Sequence, residues 1–213
     1  MSFTRKISQK NKSELTSVNN SIFIPDGVYI LHETLGVRTV NEWNPENNDG
    51  VVGILLVEDD HKIVVALEDS PEYLCWSKKD ELVNEPIKKK EDAESDFNGE
   101  YYCRKLDSPD FPAAYYCKTY NKGGRSWYLP SSGELWMICR HLDEIQNALE
   151  TVGGQKLITT WVGGVAVYRS STEYSATHAW YLNLRKRYLH GWYGKVIGNG
   201  KVRPISKFNF SSL

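Results

Sequence analysis

One segment with a clear helical period divides the sequence. It begins at Ser131-Ser132-Gly133-Glu134, a pattern that predicts a capping box. Apolar side chains then recur at intervals of three and four as far as the glycine pair 153–154, which is typical of a helix end. This stripe consists of Leu135, Ile138, Cys139, Leu142, Ile145, Leu149 and Val152. The spacing predicts a single helix over 131–152.

Short runs rich in Val, Ile and Leu lie on both sides of this helix and predict strands. The runs before it are 27–31, 51–57 and 62–67, the last two forming a hairpin around Asp59-Asp60. The runs after it are 162–168, 179–184, 188–196 and 202–208.

Two other segments connect the first strands to the long helix. A second helix is predicted from Pro109 to about Asn121, capped by Asp107 or Ser108. Residues 78–100 are rich in Lys, Glu and Asp and predict a solvated loop. Strands, two helices and strands in this order indicate an α+β fold.

The length and composition suit one globular domain. Residues 1–20 are polar and predict a flexible arm, followed by a single domain over 21–213. Its β-rich half is 21–97, and the helices and ligand face occupy 98–213. The arm has no apolar stretch of the kind found in signal peptides, and no run of 18 apolar residues predicts a membrane span. We therefore expect no membrane insertion.

The cysteines and the charge distribution exclude some kinds of site. No CxxC pair occurs, which disfavours a zinc knuckle or a thioredoxin-like motif, and reduced thiols are expected at Cys75, Cys103, Cys117 and Cys139. The net charge of −1 conceals an asymmetry, because residues 161–213 carry eight Lys and Arg against Glu173 alone. The C-terminal quarter is therefore basic.

The segment RKRYLHGWYGKVIGN at 185–199 alternates cations with rings. Tyr, Trp and Arg are the residue types enriched in binding hot spots. The alternative is an ordinary hairpin with one packed face, since Tyr188, His190 and Trp192 share one parity. Nucleic acid is another conceivable ligand, because cations and rings hold phosphates and bases, but a pI near 6.5 disfavours it.

Four stretches carry a resemblance to a known family: SWYLPSSGELWMI at 126–138, the pair at 153–154, YRSSTEYSATHAWYLNL at 168–184 and KVRPISKF at 201–208. In this order they resemble the C-type-lectin-like domains of diversity-generating-retroelement target (variable) proteins, which include phage tropism determinants. They also resemble the C-terminal domains of collagen-like bacterial adhesins. The upstream IPDGVYI, EWN and NNDGVVGILLVEDDHKIVVAL extend the resemblance to about 22–208.

The resemblance implies a fold and a ligand face. The fold is antiparallel sheets with two flanking helices and paired N- and C-terminal strands, and the exposed face lies between the SST turn at 170–172 and the final strand. Retroelement target proteins diversify this face by mutating adenines of template codons, chiefly those for Asn. The residues implied to bind ligand are Arg169, His178, Arg185, Arg187, Tyr188, His190, Trp192, Tyr193, Val196, Ile197 and Asn199.

Not every position fits that mechanism of variation equally. Adenine mutation of Asn codons reaches Arg, His, Tyr, Leu, Val, Ile and Asn, but not Trp or Lys. Lys186, Trp192 and Lys195 are therefore constant under this mechanism or arise otherwise. Arg169 stands where the family usually has Trp or a similar ring.

The remaining conspicuous residues have structural interpretations. Ser170-Ser171-Thr172 lacks the surroundings of a nucleophile elbow, which favours a structural turn. Arg203 is expected to anchor the last strand, with a ligand role as the alternative. Core positions are expected for Trp127, Trp136, Trp161 and Trp180.

Calcium-dependent sugar binding by true C-type lectins needs a Glu-Pro-Asn or Gln-Pro-Asp triplet, which the C-terminal loops lack. Formylglycine-generating enzymes share the broad fold and use reactive cysteines, yet none follows Cys139. We expect no metal, no cofactor and no catalytic residues.

These patterns together predict a non-catalytic ligand- or receptor-binding protein. Its expected partner is an external macromolecule, either a host-surface protein or a glycan, and the protein itself is expected to form a homo-oligomer. A phage tail is the expected location, with the bacterial cell surface as the other. The alternatives are a fixed-specificity bacterial adhesin and, more distantly, an enzyme of the formylglycine-generating type.

Overall fold

The computed structural model describes residues 23–160, 167–198 and 200–209. Its strands are β1 (Gly27–His32), β2 (Gly36–Thr39), β3 (Val51–Glu58), β4 (His61–Val65), β5 (Val167–Glu173), β6 (His178–Asn183), β7 (Tyr188–Gly194) and β8 (Ile205–Lys207). Its helices are α1 (Lys90–Glu94), α2 (Gly99–Cys103), α3 (Pro112–Thr119), α4 (Ser132–Arg140) and α5 (Leu142–Thr151), with a 3-10 helix at Pro45–Gly50. The expected arm at 1–20, the core position of Trp161 and the ligand position of Asn199 lie outside these residues.

Strands β1 to β4 and β8 form an antiparallel sheet with the order β2-β1-β3-β4-β8. The predicted hairpin is β3–β4, closed by a two-residue turn in which Asp59 has a φ of 52°. All of β3 except its last residue, Glu58, is buried. Ile54 belongs to one apolar cluster and its neighbour Leu55 to the other, so both faces of this sheet are covered.

The α+β class with antiparallel sheets is confirmed, but the implied pairing of the N- and C-terminal strands is wrong. Strand β1 pairs with β2 and β3, whereas β8 pairs with β4. The β3–β4 hairpin occupies the positions between them, because strands joined by short connections pair with their sequence neighbours. Among the described strands, the first and the last therefore share a sheet but do not pair with each other.

The long helix predicted over 131–152 is two helices. The capping box at its start is confirmed, with the Ser131 N–H donating to Glu134 Oε2 at 2.7 Å. The helix then breaks at His141, which has a φ of −101° and caps α4 and α5. The predicted start of the preceding helix at Pro109 is also wrong. The Phe111 N–H first closes a turn onto Ser108, and α3 begins one residue later.

The charged segment 78–100 is only in part the solvated loop that its composition predicts, because an irregular and mostly exposed stretch at 78–89 is followed by helices. It contains α1 and the start of α2, and the side chain of Asp96 is buried between them. Asp96 accepts hydrogen bonds from Tyr102 Oη at 3.1 Å and from Thr172 Oγ1 at 2.6 Å. A buried carboxylate with several donors ties this segment to β5.

Strands β5, β6 and β7 form a second antiparallel sheet in that order. Trp180, Leu182 and Leu189 extend from its inner face into the same apolar cluster as Ile54 and the residues of α4 and α5. This confirms the core position expected of Trp180, and Trp127 is buried as well, whereas Trp136 is only half-buried. The inner face of the second sheet therefore packs on the helices and the first sheet.

Candidate ligand-binding surface

The outer face of β6 and β7 carries a group of rings. Tyr181 pairs with His190 across the two strands, and paired residues point to the same face. Leu182 and Leu189, which pair next to them, are buried on the opposite face. We call the following residues the aromatic surface: Tyr181, Tyr188, His190, Trp192 and Tyr193.

A β-bulge brings the largest of these rings to the outside. The register of β6 and β7 shifts between Ala179 and Tyr181, so that β7 contains an extra residue there. At Gly191 a Cβ would lie 2.3 Å from the ring of Tyr174, so this position of the bulge requires glycine. The neighbouring Trp192 is 65% exposed. A tryptophan so exposed is unusual, because a side chain of this size is normally buried.

The rings hold one another in place. The ring centroids of Tyr181 and Tyr193 are 4.8 Å apart, and those of Tyr188 and His190 are 5.2 Å apart. The backbone N–H of Trp192 donates to Nδ1 of His190 at 3.3 Å. Rings fixed in this way lose little conformational entropy when a ligand binds.

The turn between β6 and β7 adds positive charge beside the aromatic surface. Arg187 adopts a φ of 48° and forms an ion pair with Asp143 of α5 at 3.0 Å. Arg185 and Lys186 are exposed, and neither forms an ion pair with a described residue. The backbone N–H of Lys186 donates to Asn183 Oδ1 at 3.1 Å, which fixes the start of the turn.

Partial burial changes the proton affinities of these rings. Burial lowers the pKa of His190 and so favours the neutral ring, which is the form that can accept from Trp192. Burial raises the pKa of Tyr181, and it raises that of Tyr193 to about 12 against the opposing effect of Arg169. The phenols are therefore neutral hydrogen-bond donors at physiological pH.

The resemblance implies that Arg169 is exposed, but the structure buries it. Its side chain is fully buried and donates to the carbonyl oxygens of Leu74, Gly194 and Ile197. The guanidinium lies 4.3 Å from the ring centroid of Tyr193, and burial lowers its pKa to about 10. Arg169 pairs with Tyr181 and therefore shares its face of the sheet, where it packs against the ring of Tyr193.

A buried ion pair anchors the loop that follows β7. Lys195 and Glu173 form this pair, and the Glu173 carboxylate also accepts from the backbone N–H of Val83 at 3.2 Å. The next two residues, Val196 and Ile197, are 47% and 46% exposed. The loop is thus fixed at its base and presents two apolar side chains to solvent.

The structure therefore separates the candidate residues into five groups. Tyr188, His190, Trp192 and Tyr193 lie together on the aromatic surface, and Arg185 and Arg187 lie on the adjoining turn. His178 is half-buried, with its ring 6.2 Å from that of Trp192, while Val196 and Ile197 lie on the next loop. Arg169 is internal.

Sequence reasoning missed Tyr181 and Asn183, which lie on β6 opposite His190 and Tyr188. The sequence signal that could have identified them is the alternation of side chains between the two faces of a strand. Both residues alternate with Leu182, whose apolar side chain marks the inner face. The resemblance placed the ligand face from Arg169 to Asn199 without separating the two faces of β6.

The serine and threonine residues that could suggest catalysis are buried within the fold. Ser170 Oγ donates to the Trp180 carbonyl at 2.8 Å, and this segment is strand β5 rather than the predicted turn. The four cysteines are free. Burial raises the pKa of Cys117 and Cys139, and it raises that of Cys103 to about 12.

Arg203 anchors the last strand as predicted. It forms a buried ion pair with Asp69 at 2.6 Å and donates to the carbonyl oxygens of Ala66 and Gln155. Within the described ranges no helix is long and apolar enough to cross a membrane. The same residues contain no group of three or more His, Cys, Asp and Glu that could hold a metal ion.

The fold is similar to that of a crystallised fimbrial protein from Bacteroides ovatus ATCC 8483, with a TM-score of 0.61 and 15% sequence identity. The similarity covers 87% of this chain and 49% of the fimbrial chain, so this chain spans about half the length of that protein. No protein-family model matches the sequence, and no curated protein matches it.

Proposed function

We propose that this chain is a non-catalytic binding protein whose aromatic surface contacts an external macromolecule. The observation that carries the proposal is the set of fixed rings on the outer face of β6 and β7, led by an indole that is 65% exposed. Contiguous exposed apolar surface of this kind marks interaction sites in soluble proteins. Arg185 and Arg187 lie on the adjacent turn, and arginine is enriched in binding hot spots together with Trp and Tyr.

Array binding tests this proposal. The labelled full chain is applied to printed glycans and to displayed host-surface ectodomains, beside the triple variant Tyr188→Ala, His190→Ala and Trp192→Ala. Tyr193 is kept, because its ring packs on the buried Arg169. We expect the wild type to bind a subset of probes and the triple variant to lose at least tenfold in affinity.

The matched control removes exposed side chains elsewhere, with Leu82→Ala, Tyr101→Ala and Arg104→Ala. This control is expected to bind as the wild type does. Equal binding by the wild type and the triple variant would place the ligand elsewhere and overturn the proposal.

We further propose that the domain is C-type-lectin-like and related to retroelement target proteins, with a place at a phage tail or a bacterial surface. The motif order from Ser126 to Phe208 supports this relationship. The most exposed ring of the aromatic surface, Trp192, cannot arise by adenine mutation of Asn codons, and in a diversified protein it would be a constant contact. A retroelement predicts a reverse-transcriptase gene and a near-copy of codons 160–205, differing only at adenines, in the flanking DNA.

A fixed-specificity surface adhesin is the second candidate, and the fimbrial structural neighbour favours it. If the flanking DNA contains no reverse-transcriptase gene and no template copy, the fixed-specificity adhesin replaces the diversified protein as the proposed function. The absence of enzyme activity is part of the proposal, and the raised pKa values of the buried thiols support it. Cys103→Ser and Cys117→Ser should therefore leave ligand affinity unchanged and alter only stability.

A further inference from the structure

We propose that the cleft between Tyr181 and Tyr188 binds an anionic sugar unit, either a uronate or a sulfated pyranose, within a glycan. This inference rests on the proposed function and names the ligand class of the same surface. The cleft has a volume of about 470 Å³, and its lining side chains are Tyr181, Asn183, Lys186 and Tyr188.

Two of the four side chains that line the cleft are aromatic. Two phenol rings provide flat surfaces on which the C–H groups of a sugar can pack, because the π face of an aromatic ring is electron-rich. The ring of His190 lies 6.0 Å from Tyr181 and 5.2 Å from Tyr188, so it supports both walls. The phenol hydroxyls of Tyr181 and Tyr188 can form hydrogen bonds with sugar hydroxyls.

The polar groups of the cleft favour an anion over a neutral sugar. Asn183 uses its Oδ1 to accept from the Lys186 N–H, which leaves its amide N–H₂ group to donate to a ligand. The Lys186 ammonium has no ion-pair partner among the described residues, and neighbouring Arg185 has none either. Arg187, the residue after Lys186, differs from both, because its charge is paired with that of Asp143.

The scale of the cleft favours a sugar over a folded protein partner. Four side chains and about 470 Å³ fall in the range of small-ligand pockets. A stable protein interface buries on the order of 1,600 Å² in total, much more than this cleft offers. An acidic peptide could use the same charge, so it enters the test as a competitor.

Calorimetric titration of the full chain with four defined probes tests the proposal. The probes are a hyaluronan tetrasaccharide, which carries carboxylates, a heparin-derived tetrasaccharide, which adds sulfates, neutral chitotetraose and tetraglutamate. We expect at least one anionic tetrasaccharide to bind at least tenfold more tightly than both chitotetraose and tetraglutamate. The preference between the first two probes identifies the anion.

Substitutions of Lys186 and Tyr188, each with a control, locate the site. Lys186→Gln should weaken binding of the anionic tetrasaccharide about tenfold, since a hydrogen bond to a charged group is lost. Lys79→Gln changes an exposed lysine that does not line the cleft and should leave binding unchanged. Tyr188→Ala should weaken binding more than Tyr188→Phe, because the phenylalanine keeps the ring. Unchanged melting temperatures would show that these variants remain folded.

Three results would overturn the inference. If chitotetraose bound as tightly as the anionic probes, the cleft would not prefer an anion and Lys186 would not have the proposed role. Tetraglutamate binding as tight, with the same dependence on Lys186, would make this a peptide site. Failure of both anionic probes to bind would also reject the inference. The proposed function survives all three if the triple variant still loses binding on the arrays, and it fails with the inference if that variant binds as the wild type does.

Discussion

Strands β5 and β7 invert the usual relation between polarity and burial. Strand β5 has the sequence VYRSSTE, yet all seven of its residues are buried. Strand β7 has the sequence YLHGWYG, and its rings lie on the outside. Most polar side chains of β5 are tolerated in the core because they form hydrogen bonds, whereas Tyr188 and Trp192 of β7 remain 41% and 65% exposed.

This contrast assigns different roles to the two strands. The side chains of Arg169, Thr172 and Glu173 tie β5 to distant loops, so they stabilise the fold. The rings of β7 contribute little to the core. Substitutions in β5 should therefore reduce stability, and those on the outer face of β7 should reduce binding.

The largest effect is expected at the buried ion pair. Glu173→Gln leaves the buried Lys195 ammonium without its counter-charge, and should lower the free energy of unfolding by about 3–5 kcal/mol in urea denaturation. Adding Lys195→Met should recover much of the loss, because the uncompensated charge is then removed. Glu150→Gln breaks an exposed pair and should cost about 1 kcal/mol or less. Equal losses in the two single variants would contradict the assigned role of β5.

An intermediate loss of stability is expected when the hydroxyl group of Thr172, also in β5, is removed. Thr172→Val keeps the shape of the side chain but removes the donor to Asp96 and the acceptor for the Ser132 N–H. Unfolding should become easier by about 1–3 kcal/mol, the cost of buried polar groups without partners. Thr151→Val, at an exposed helix end, should change stability by about 0.5 kcal/mol or less.

A small effect on stability is expected on the exposed strand. Trp192→Ala should change the free energy of unfolding by about 0.5 kcal/mol or less, as for other surface substitutions, while ligand affinity falls at least tenfold. The buried Trp180 is the matched control, and its replacement by Ala should cost about 3–5 kcal/mol. A large loss of stability in Trp192→Ala would show that this indole belongs to the core.

The smallest expected effect on stability is its pH dependence through His190. Because burial lowers its pKa below the usual 6.5, the folded state binds fewer protons than the unfolded state. The contribution of the neutral ring is complete above pH 6.5 and declines as the pH falls through the lowered pKa. An NMR titration should show the Trp192 amide shifting together with the His190 ring. A His190 pKa at or above 6.5 would be inconsistent with this account.

The parts of the fold that were predictable from sequence depend on local signals. The capping box at Ser131 and the two-residue turn at Asp59 each need only neighbouring residues, and both were placed correctly. The interruption at His141 has no comparable signal, because the apolar stripe continues through it. Local patterns therefore specify elements better than they specify where one helix turns into the next.

The parts that were not predictable depend on contacts between distant segments. Glu173 accepts from Val83, 90 residues earlier in the chain, and Arg169 donates to Leu74, 95 residues earlier. A charged side chain is assigned to the surface by composition, and only the tertiary structure reveals its buried partners. This explains why Arg169 was predicted to be exposed, while the exposure of Tyr188 and Trp192, which depends on no distant partner, could be predicted from the sequence.

The most direct test of the central claim is a map of backbone amide NMR shifts on binding. The full chain is titrated with the array probe that it binds most tightly, and the shifts are compared along the sequence. The account predicts changes concentrated at residues 181–193, with β1 to β4 unaffected. Changes concentrated in the five-stranded sheet, with β6 and β7 unaffected, would contradict it.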